Sequence, residues 1–600
     1  MARRSRTALE HFPNLLTMFF TRAKERGDAP FLWHREGDTW QSRSWREAAE
    51  QVCALADALE RLGIKKGDRV MLVSENRPEF CIADLAIMAA GAVTVPTYTT
   101  NTERDHAHIL EDSRAKAIIV STQKLATTVV RAALNSRHGR MVIGIEPMRI
   151  GQGGDIHYHD WESLIGAEGC DVEKRAAACD FAREDLACLI YTSGTGGAPR
   201  GVMQSHGSIL ANCEGCVDII ANDFGWDEEV FLSFLPLSHA YEHTGGQFFP
   251  IALGAQIYYS RGLDKLAADI VETRPTLMIV VPRLFEVLRT RLLKAMESQG
   301  KVSNYLLQKA LDIGEREAGG KKRITDRPMD LLLDMILRPK ISERFGGRIK
   351  ALVSGGAPLN PEIGTFFHSL GLTLLQGYGQ TEAAPVVSCN RPSTGLKMDT
   401  VGPPLKGVDI RIAEDGEILV SGELVMNGYW RNTEETERAL QDGWLHTGDI
   451  GHLDEKGRLV ITDRKKDIIV NDKGDNIAPQ RIEGMLTLEP EIGQAMVAGD
   501  KRPYMVGLIV PDADWQKQWA KDHGAENDLA ALRDNPEFLK PLSAAVDRVN
   551  KGLAAVEKVR RIVLADEAFT IENDQMTPSM KIRRHILRNV YHERLDGLYR

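Results

Sequence analysis

No run of apolar residues in this chain is long enough to cross a bilayer. The most apolar segment, residues 81–95, carries Asp84 and Gly91 and stops at Pro96. A spanning helix needs about 20 consecutive apolar residues. The opening "MARRSRTALEHFPNLLTMFF" is interrupted by Glu10, His11 and Asn14, so it does not build the apolar core of a secretory signal. Cysteine is scarce. Eight are scattered over 600 residues, a pattern expected of free thiols in a reducing compartment rather than of a disulfide scaffold. Cys213 and Cys216 form a lone CxxC, without a second pair at zinc spacing; on a helix they are simply i,i+3 neighbours. Positive charge is not in excess either. A net charge of −9 argues against a general nucleic-acid binder. These absences together suggest a cytoplasmic protein.

What is present is ordinary globular material: 43% apolar and 26% charged residues. Six hundred residues exceed what one core usually organises, so at least two domains are expected. Residues 44–64, "SWREAAEQVCALADALERLGI", have helical periodicity, with Ser44 as N-cap and Glu47 three residues on. "DRVMLVSEN", "AVTVPTYTT", "AKAIIVST" and "GRMVIGIE" read as strands separated by helical spans. That alternation implies parallel sheets covered by helices. It resumes in "LMIVVPRLF", "IKALVSGGAPL" and "LTLLQGYGQTE". From about 400 to 461 glycines are frequent and short alternating runs such as "GEILVSGE" suggest a small antiparallel barrel or twisted sheet. "DRKKD", residues 463–467, is a charged break, and the tail beyond it is an α+β pattern with its own strand, "YMVGLIVP".

The stretch "YTSGTGGAPRGV", residues 191–202, follows an apolar run, residues 186–190, and is nearly bare of large side chains. Backbone N–H groups approach a phosphate closely where no Cβ intervenes, and Thr192, Ser193 and Thr195 add hydroxyl donors. This reads as a cradle for a polyphosphate. It is not a Walker A loop, because Arg200 precedes Gly201 and Val202 where that motif ends in Gly-Lys-Ser/Thr.

Four further stretches follow in order: "LSFLPLSHAYEH" (232–243), "QGYGQTE" (376–382), "GWLHTGDIG" (443–451) with "ITDRKKDIIV" (461–470), and "MTPSMKIRR" (576–584). With the glycine-rich loop, this set resembles the signatures of the adenylate-forming (AMP-binding) superfamily, over nearly the whole chain. The resemblance implies an α/β fold. A large N-terminal domain, residues 1–464, would hold two doubly wound sheets and a small β-barrel at about 400–461. A smaller, mobile α+β C-terminal domain would follow at 465–600. It implies ATP, Mg²⁺ and coenzyme A as cofactors or substrates, and a carboxylate that attacks the α-phosphate of ATP. The loop residues Thr192, Ser193, Gly194, Thr195, Gly196, Gly197 and Arg200 would hold phosphate. Gln376, Gly377, Tyr378 and Gly379 would carry adenine, with Tyr378 stacked on the ring. The turn Gly355, Gly356 and Ala357 would meet the adenine edge at a strand end, where open α/β sheets bind ligands. Asp449 would accept the ribose hydroxyls, with Arg464 near the same ribose and phosphate. Thr381 would offer a hydroxyl to the α-phosphate, and Glu382, with Thr195, would bind Mg²⁺. His239 would lie beside the acyl carboxylate. Lys581 would reach the α-phosphate from the tail domain, swinging on a hinge at Lys466, and the loop with Lys473 and Gly474 would line the thiol channel in the second step. Two departures from the family pattern are Gly197, where a threonine is common, and Arg200, where lysine is usual; both retain the physics of phosphate contact.

"VPRLFEVL" followed by a long helical insertion, and "PLSHAYEHTGG", resemble the long-chain fatty acyl-CoA synthetase branch. A long alkyl chain suits an apolar tunnel: about twelve methylenes at roughly 0.8 kcal/mol each give on the order of 10 kcal/mol before ordering costs. Phe234, Leu235, Gly245, Phe248 and Phe249 are wall candidates by proximity. The expected activity is ligation of a long-chain fatty acid to coenzyme A through an acyl-adenylate. The alternatives are a fatty acyl-AMP ligase loading a carrier protein, which an extra insertion near the hinge would mark, and a CoA ligase for another hydrophobic acid. A non-catalytic AMP- or lipid-binding relative should have lost Lys581 or Glu382, and both are present. The helical, locally basic stretch 284–345 is read as a solvated insertion or a contact with a membrane surface. Peripheral membrane contact at the inner face and a homodimer complete the expectations; nucleic acid is not among the expected partners.

Overall fold

The helical periodicity after Ser44 becomes the helix Trp45–Arg61, closed by a capping box. The Glu47 N–H donates to the Ser44 hydroxyl, and the Ser44 N–H donates to the Glu47 carboxylate. The apolar segment after Pro78 becomes the helix Pro78–Ala89, every residue of which is buried. Its Asp84 accepts from Gln247 at 2.6 Å and pairs with His243 at 2.9 Å. The run that looked most lipophilic therefore opens in a core helix whose acid is paired through one oxygen, Oδ2. The computed structural model describes residues 8–149, 155–166, 170–192, 198–298, 300–321, 323–465, 467–577 and 581–600.

Two large sheets dominate. One has seven strands in the order His157–Asp160, Met141–Gly144, Ala117–Val120, Arg69–Val73, Val93–Pro96, Leu186–Thr192, Arg200–Ser205. Its pairs are parallel except the last, which is antiparallel. The other has eight strands, with Gln256–Tyr259, Val230–Ser233, Leu277–Val280, Ala351–Ser354 and Leu374–Gly379 forming its parallel centre. A continuous apolar core lies between and around them, with Phe19, Trp45, Phe80, Ile190, Phe248 and Ile257 fully or almost fully buried. Residues 409–464 form a five-stranded antiparallel sheet, matching the change of texture in the sequence.

Beyond it, Ile492–Ala498, Met505–Pro511 and Val559–Leu564 make a three-stranded sheet covered on both sides. Phe538, Leu542 and Ile482 pack in one cluster; Phe569, Leu587 and Tyr591 pack in another. The insertion is helical as expected: Pro282–Ser298, Lys301–Ala318 and Arg327–Arg344. Its inner side chains, among them Leu307, Ile313, Leu333 and Leu337, join a core with Phe285 and Phe367.

One expectation is corrected. Cys53 and Cys170 are joined in a disulfide, with Cα atoms 6.0 Å apart. Their 117-residue separation left no trace in local pattern; packing of the helices Trp161–Ile165 and Val172–Ala178 on the helix Trp45–Arg61 brings them together. The other six cysteines are free, and Cys213 and Cys216 lie near one another on the helix His206–Ile219, as their spacing suggested.

Candidate active site

Three strands set the site, because their C-terminal ends open on one cleft: Leu186–Thr192, Ala351–Ser354 and Leu374–Gly379. The cleft measures about 2260 Å³ and is closed on its far side by the antiparallel sheet and the tail segment. Close approach governs its floor. A Cβ on Gly379 would collide with the Pro385 carbonyl oxygen, and one on Gly355 would run into the Tyr241 ring. Tyr241 in turn donates its hydroxyl to the Val353 carbonyl at 2.9 Å, fixing the strand end that leads into Gly355 and Gly356.

After Gly379 the chain makes the short turn Thr381–Ala383. Two contacts hold this turn. Gln204 donates to the Thr381 carbonyl at 2.7 Å, and Tyr429 donates its hydroxyl to Glu382 Oε1 at 2.9 Å. Burial, and then the Glu382 carboxylate, raise the Tyr429 phenol, so it stays a donor. Arg200 lies 4.5 Å over the Tyr429 ring and ion-pairs with Glu435. Glu382 thus has one oxygen fixed by a phenol and a second available to the cleft. A hard carboxylate oxygen in a polyanion pocket suits Mg²⁺, so the residues present fit that ion.

Asp449 is 7% exposed. It accepts from the Tyr378 hydroxyl at 2.6 Å and lies 3.5 Å from Arg464 Nε. Burial raises its carboxyl, and Arg464 and Tyr378 oppose that shift. His239 caps the short helix Ala240–Glu242, its Nδ1 accepting the Tyr241 N–H at 3.1 Å. Burial, with Lys581 second, pushes this imidazole down to about 4. It is therefore neutral at pH 7, and because Nδ1 accepts, the proton sits on Nε2. The Tyr98 ring lies 6.4 Å from it.

Lys581 enters from the tail. Its N–H donates to the Thr577 hydroxyl, and its carbonyl accepts the Thr577 N–H. The neighbouring Arg584 makes paired bonds of 2.7 and 2.8 Å to Glu483 and one of 3.0 Å to the Val497 carbonyl. These bonds tie the stretch that follows Lys581 to the tail's own helix Pro479–Leu486 and to its strand Ile492–Ala498. Burial first, then Arg464, lower the Lys581 ammonium to about 8, against the pull of Asp449 and Glu382.

Most of the anticipated residues share this cleft: Thr192, Arg200, His239, Gly355, Gly356, Ala357, Gln376, Gly377, Tyr378, Gly379, Thr381, Glu382, Asp449, Arg464 and Lys581 all line it. Ser193, Gly194, Thr195, Gly196, Gly197 and Lys466 lie outside the described residues. Lys473 and Gly474 stand on an exposed turn that is not among the cleft-lining residues. The proposed tunnel walls fare differently. Phe248 and Phe249 are packed in the central core, and neither they nor Phe234, Leu235 and Gly245 line the cleft.

Reading the sequence missed Tyr429, Glu435, Tyr241 and Tyr98. Tyr429 follows Gly428, whose φ is +117°; that glycine was the one local hint.

Residues 19–430 match the family described as AMP-binding enzyme, and residues 466–600 match the AMP-binding enzyme C-terminal domain. The chain belongs to the AMP-binding enzyme family. Among curated proteins it is similar to the long-chain-fatty-acid–CoA ligase FadD15 of Mycobacterium tuberculosis, 33% identical over 604 residues, covering 99% of this chain and 98% of that one. It is also similar to human long-chain-fatty-acid–CoA ligase 1, 30% identical over 600 residues, covering 95% and 84%. Among solved structures, the adenylation domain of a carboxylate reductase from Mycobacterium chelonae superposes with a TM-score of 0.75 at 22% identity, over 98% of this chain and 92% of that chain. The last likeness concerns the fold: α/β, with a large N-terminal part of mixed sheets and a smaller C-terminal part.

Proposed function

We propose that this family member ligates a long-chain fatty acid to coenzyme A in two steps, with ATP and Mg²⁺, releasing pyrophosphate and then AMP. The observation that carries the reading is the meeting of Lys581, from the tail, with Glu382 and Asp449 in one cleft. In the first step a carboxylate oxygen bonds to the α-phosphorus as the bond to pyrophosphate breaks. Tyr378 stacks on adenine and Asp449 accepts the ribose hydroxyls. The Thr381 hydroxyl and the Lys581 ammonium meet charge growing on the α-phosphate oxygens. Neutral His239 donates from Nε2 to the acyl carboxylate and so keeps it anionic and aimed. Glu382 would hold Mg²⁺, with Thr195 from the phosphate loop; when bound, that ion neutralises phosphate charge. In the second step the CoA thiol attacks the acyl carbonyl and AMP departs.

Lys473 and Gly474 lie away from the cleft while Lys581 lines it. That arrangement supports a tail domain, residues 465–600, that turns about Lys466 between steps and exchanges one loop for the other. The N-terminal domain is then 1–464. The same proposal puts the enzyme in the cytoplasm, touching the inner face of the membrane. No helix among the described residues is long and apolar enough to cross one. Self-association as a homodimer is the part of the proposal that light scattering checks.

A panel of acids from acetate to C20, assayed for pyrophosphate release with and without CoA, tests the substrate class. Release should rise steeply with chain length and turn over only with CoA. Equal release from short and long acids would sink the long-chain claim, and accumulation of acyl-adenylate regardless of CoA would favour the acyl-AMP ligase reading.

The pH profile tests Lys581. Its working form is the ammonium. With a pKa of about 8, charge is present below that pH and lost above it. The kcat/KM of adenylation, which reports the free enzyme, should fall as pH rises through about 8. Lys581→Arg should remove that limb, because guanidinium keeps its proton. A limb that persists in the arginine variant belongs to another group.

A further inference from the structure

The helix Arg327–Arg344 is apolar on two opposite sides. Leu333, Leu337 and Ile341 face the core beneath it. On the other side Leu331 and Met335, and Leu332 and Ile336, recur at i and i+4 and stand in solvent, Met335 at 72% and Leu331 at 63% exposure. Ile324, in the turn before the helix, is 81% exposed. Half of the large apolar side chains that stand exposed among the described residues lie between 302 and 336. A helix apolar on both faces is normally covered on both, and a patch of this kind marks an interaction surface.

Charge selects the partner. Exposed basic residues cluster where the helix begins, Lys321, Arg323 and Arg327, while Glu343 stands exposed at its far end. Residues 301–345 hold ten lysines and arginines against seven acids, in a chain whose net charge is −9. Some of those acids are already engaged, Asp326 by Arg316 and Asp334 by Arg338. A sheet of anionic lipid headgroups neutralises that basic start and accepts the apolar stripe.

We propose that the outer face of Arg327–Arg344 lies flat on an anionic bilayer, its apolar stripe in the acyl boundary and the basic residues at its start among the headgroups. The helix spans 18 residues, about 27 Å at 1.5 Å per residue. It belongs to the segment whose first helix, Pro282–Ser298, begins at the cleft, where Pro282 and Glu286 line the wall. Docking there brings the cleft to the phase in which a long-chain acid dissolves. This deepens the fatty-acid reading and rests on it for its purpose, though not for its geometry.

The test is sedimentation of the full chain with vesicles of phosphatidylcholine alone or with phosphatidylglycerol. The wild-type protein should partition at least about tenfold more onto the anionic vesicles, with the excess lost at high salt. Leu331→Glu with Met335→Glu should lose about tenfold or more of that binding, as should Lys321→Glu with Arg323→Glu. Both should convert dissolved laurate to its CoA thioester at the wild-type rate, which shows that they fold. Equal weak binding to both vesicle types would overturn the proposal. So would unchanged binding by the folded variants, or a wild-type dimer that the leucine–methionine variant splits without any vesicle binding. Failure of the wild-type enzyme to make a thioester from any fatty acid would strike the ligase reading alone and leave the vesicle result standing.

Discussion

Lys581→Ala should slow acyl-adenylate formation by about 10²–10³-fold, while thioester formation from supplied acyl-adenylate keeps most of its rate. The size follows from what the ammonium does. It lies in a cleft where burial has already lowered its pKa to about 8, so its charge acts through little water. The charge it meets grows on the α-phosphate only as the new bond forms. Removing it costs transition-state stabilisation more than ground-state binding, and kcat should fall further than the KM for ATP rises. The selectivity between half-reactions follows from its position. Lys581 lies three residues before Arg584, which is anchored to Glu483 within the tail's own packing, so the tail can carry it away as a body. Stopped-flow measurement of each half-reaction checks this. If both fell alike, Lys581 would serve both steps and the turning tail would be wrong.

The fold was legible where local pattern and global structure agree. Ser44 and Glu47 announced a capping box that the structure contains. The strand runs recur as Arg69–Val73, Val93–Pro96, Ala117–Val120 and Leu374–Gly379, because buried parallel strands are apolar throughout and stand out from amphipathic helices. The candidate site was legible where glycines mark a strand end: Tyr378 lies between Gly377 and Gly379 at the end of its strand, and Thr381 and Glu382 lie in the turn that follows. What stayed hidden depends on contacts between distant segments. The Tyr429 bond to Glu382 and the Arg200 pair with Glu435 cross 47 and 235 residues. The Cys53–Cys170 link crosses 117. No periodicity encodes such meetings. The aromatic candidates for a tunnel lie off the cleft for a related reason. Phe248 and Phe249 are near His239 in sequence, but the π-helix His243–Phe248 and the helix Phe249–Leu253 that follows turn them into the core.

Glu382→Gln should lower adenylation by about 10²–10³-fold and raise the Mg²⁺ concentration needed for half-maximal rate by at least about tenfold. Glutamine preserves the volume of the side chain and an oxygen to accept the 2.9 Å bond from Tyr429. The turn Thr381–Ala383 should therefore stay where Gln204 and Tyr429 hold it, and thermal stability should change by no more than about 1 kcal/mol. What the variant loses is charge. An amide oxygen is a weaker ligand for a hard divalent ion than a carboxylate, and it leaves the triphosphate's own charge less balanced. The loss should be partly offset by raising Mg²⁺, which separates an effect on ion binding from one on folding or on ATP stacking at Tyr378. A titration of rate against Mg²⁺ at saturating ATP, run beside a melting curve, reads both. If the variant loses activity with its Mg²⁺ dependence unmoved, the ion is held elsewhere. Glu382 would then act by shaping the turn that presents the Thr381 hydroxyl.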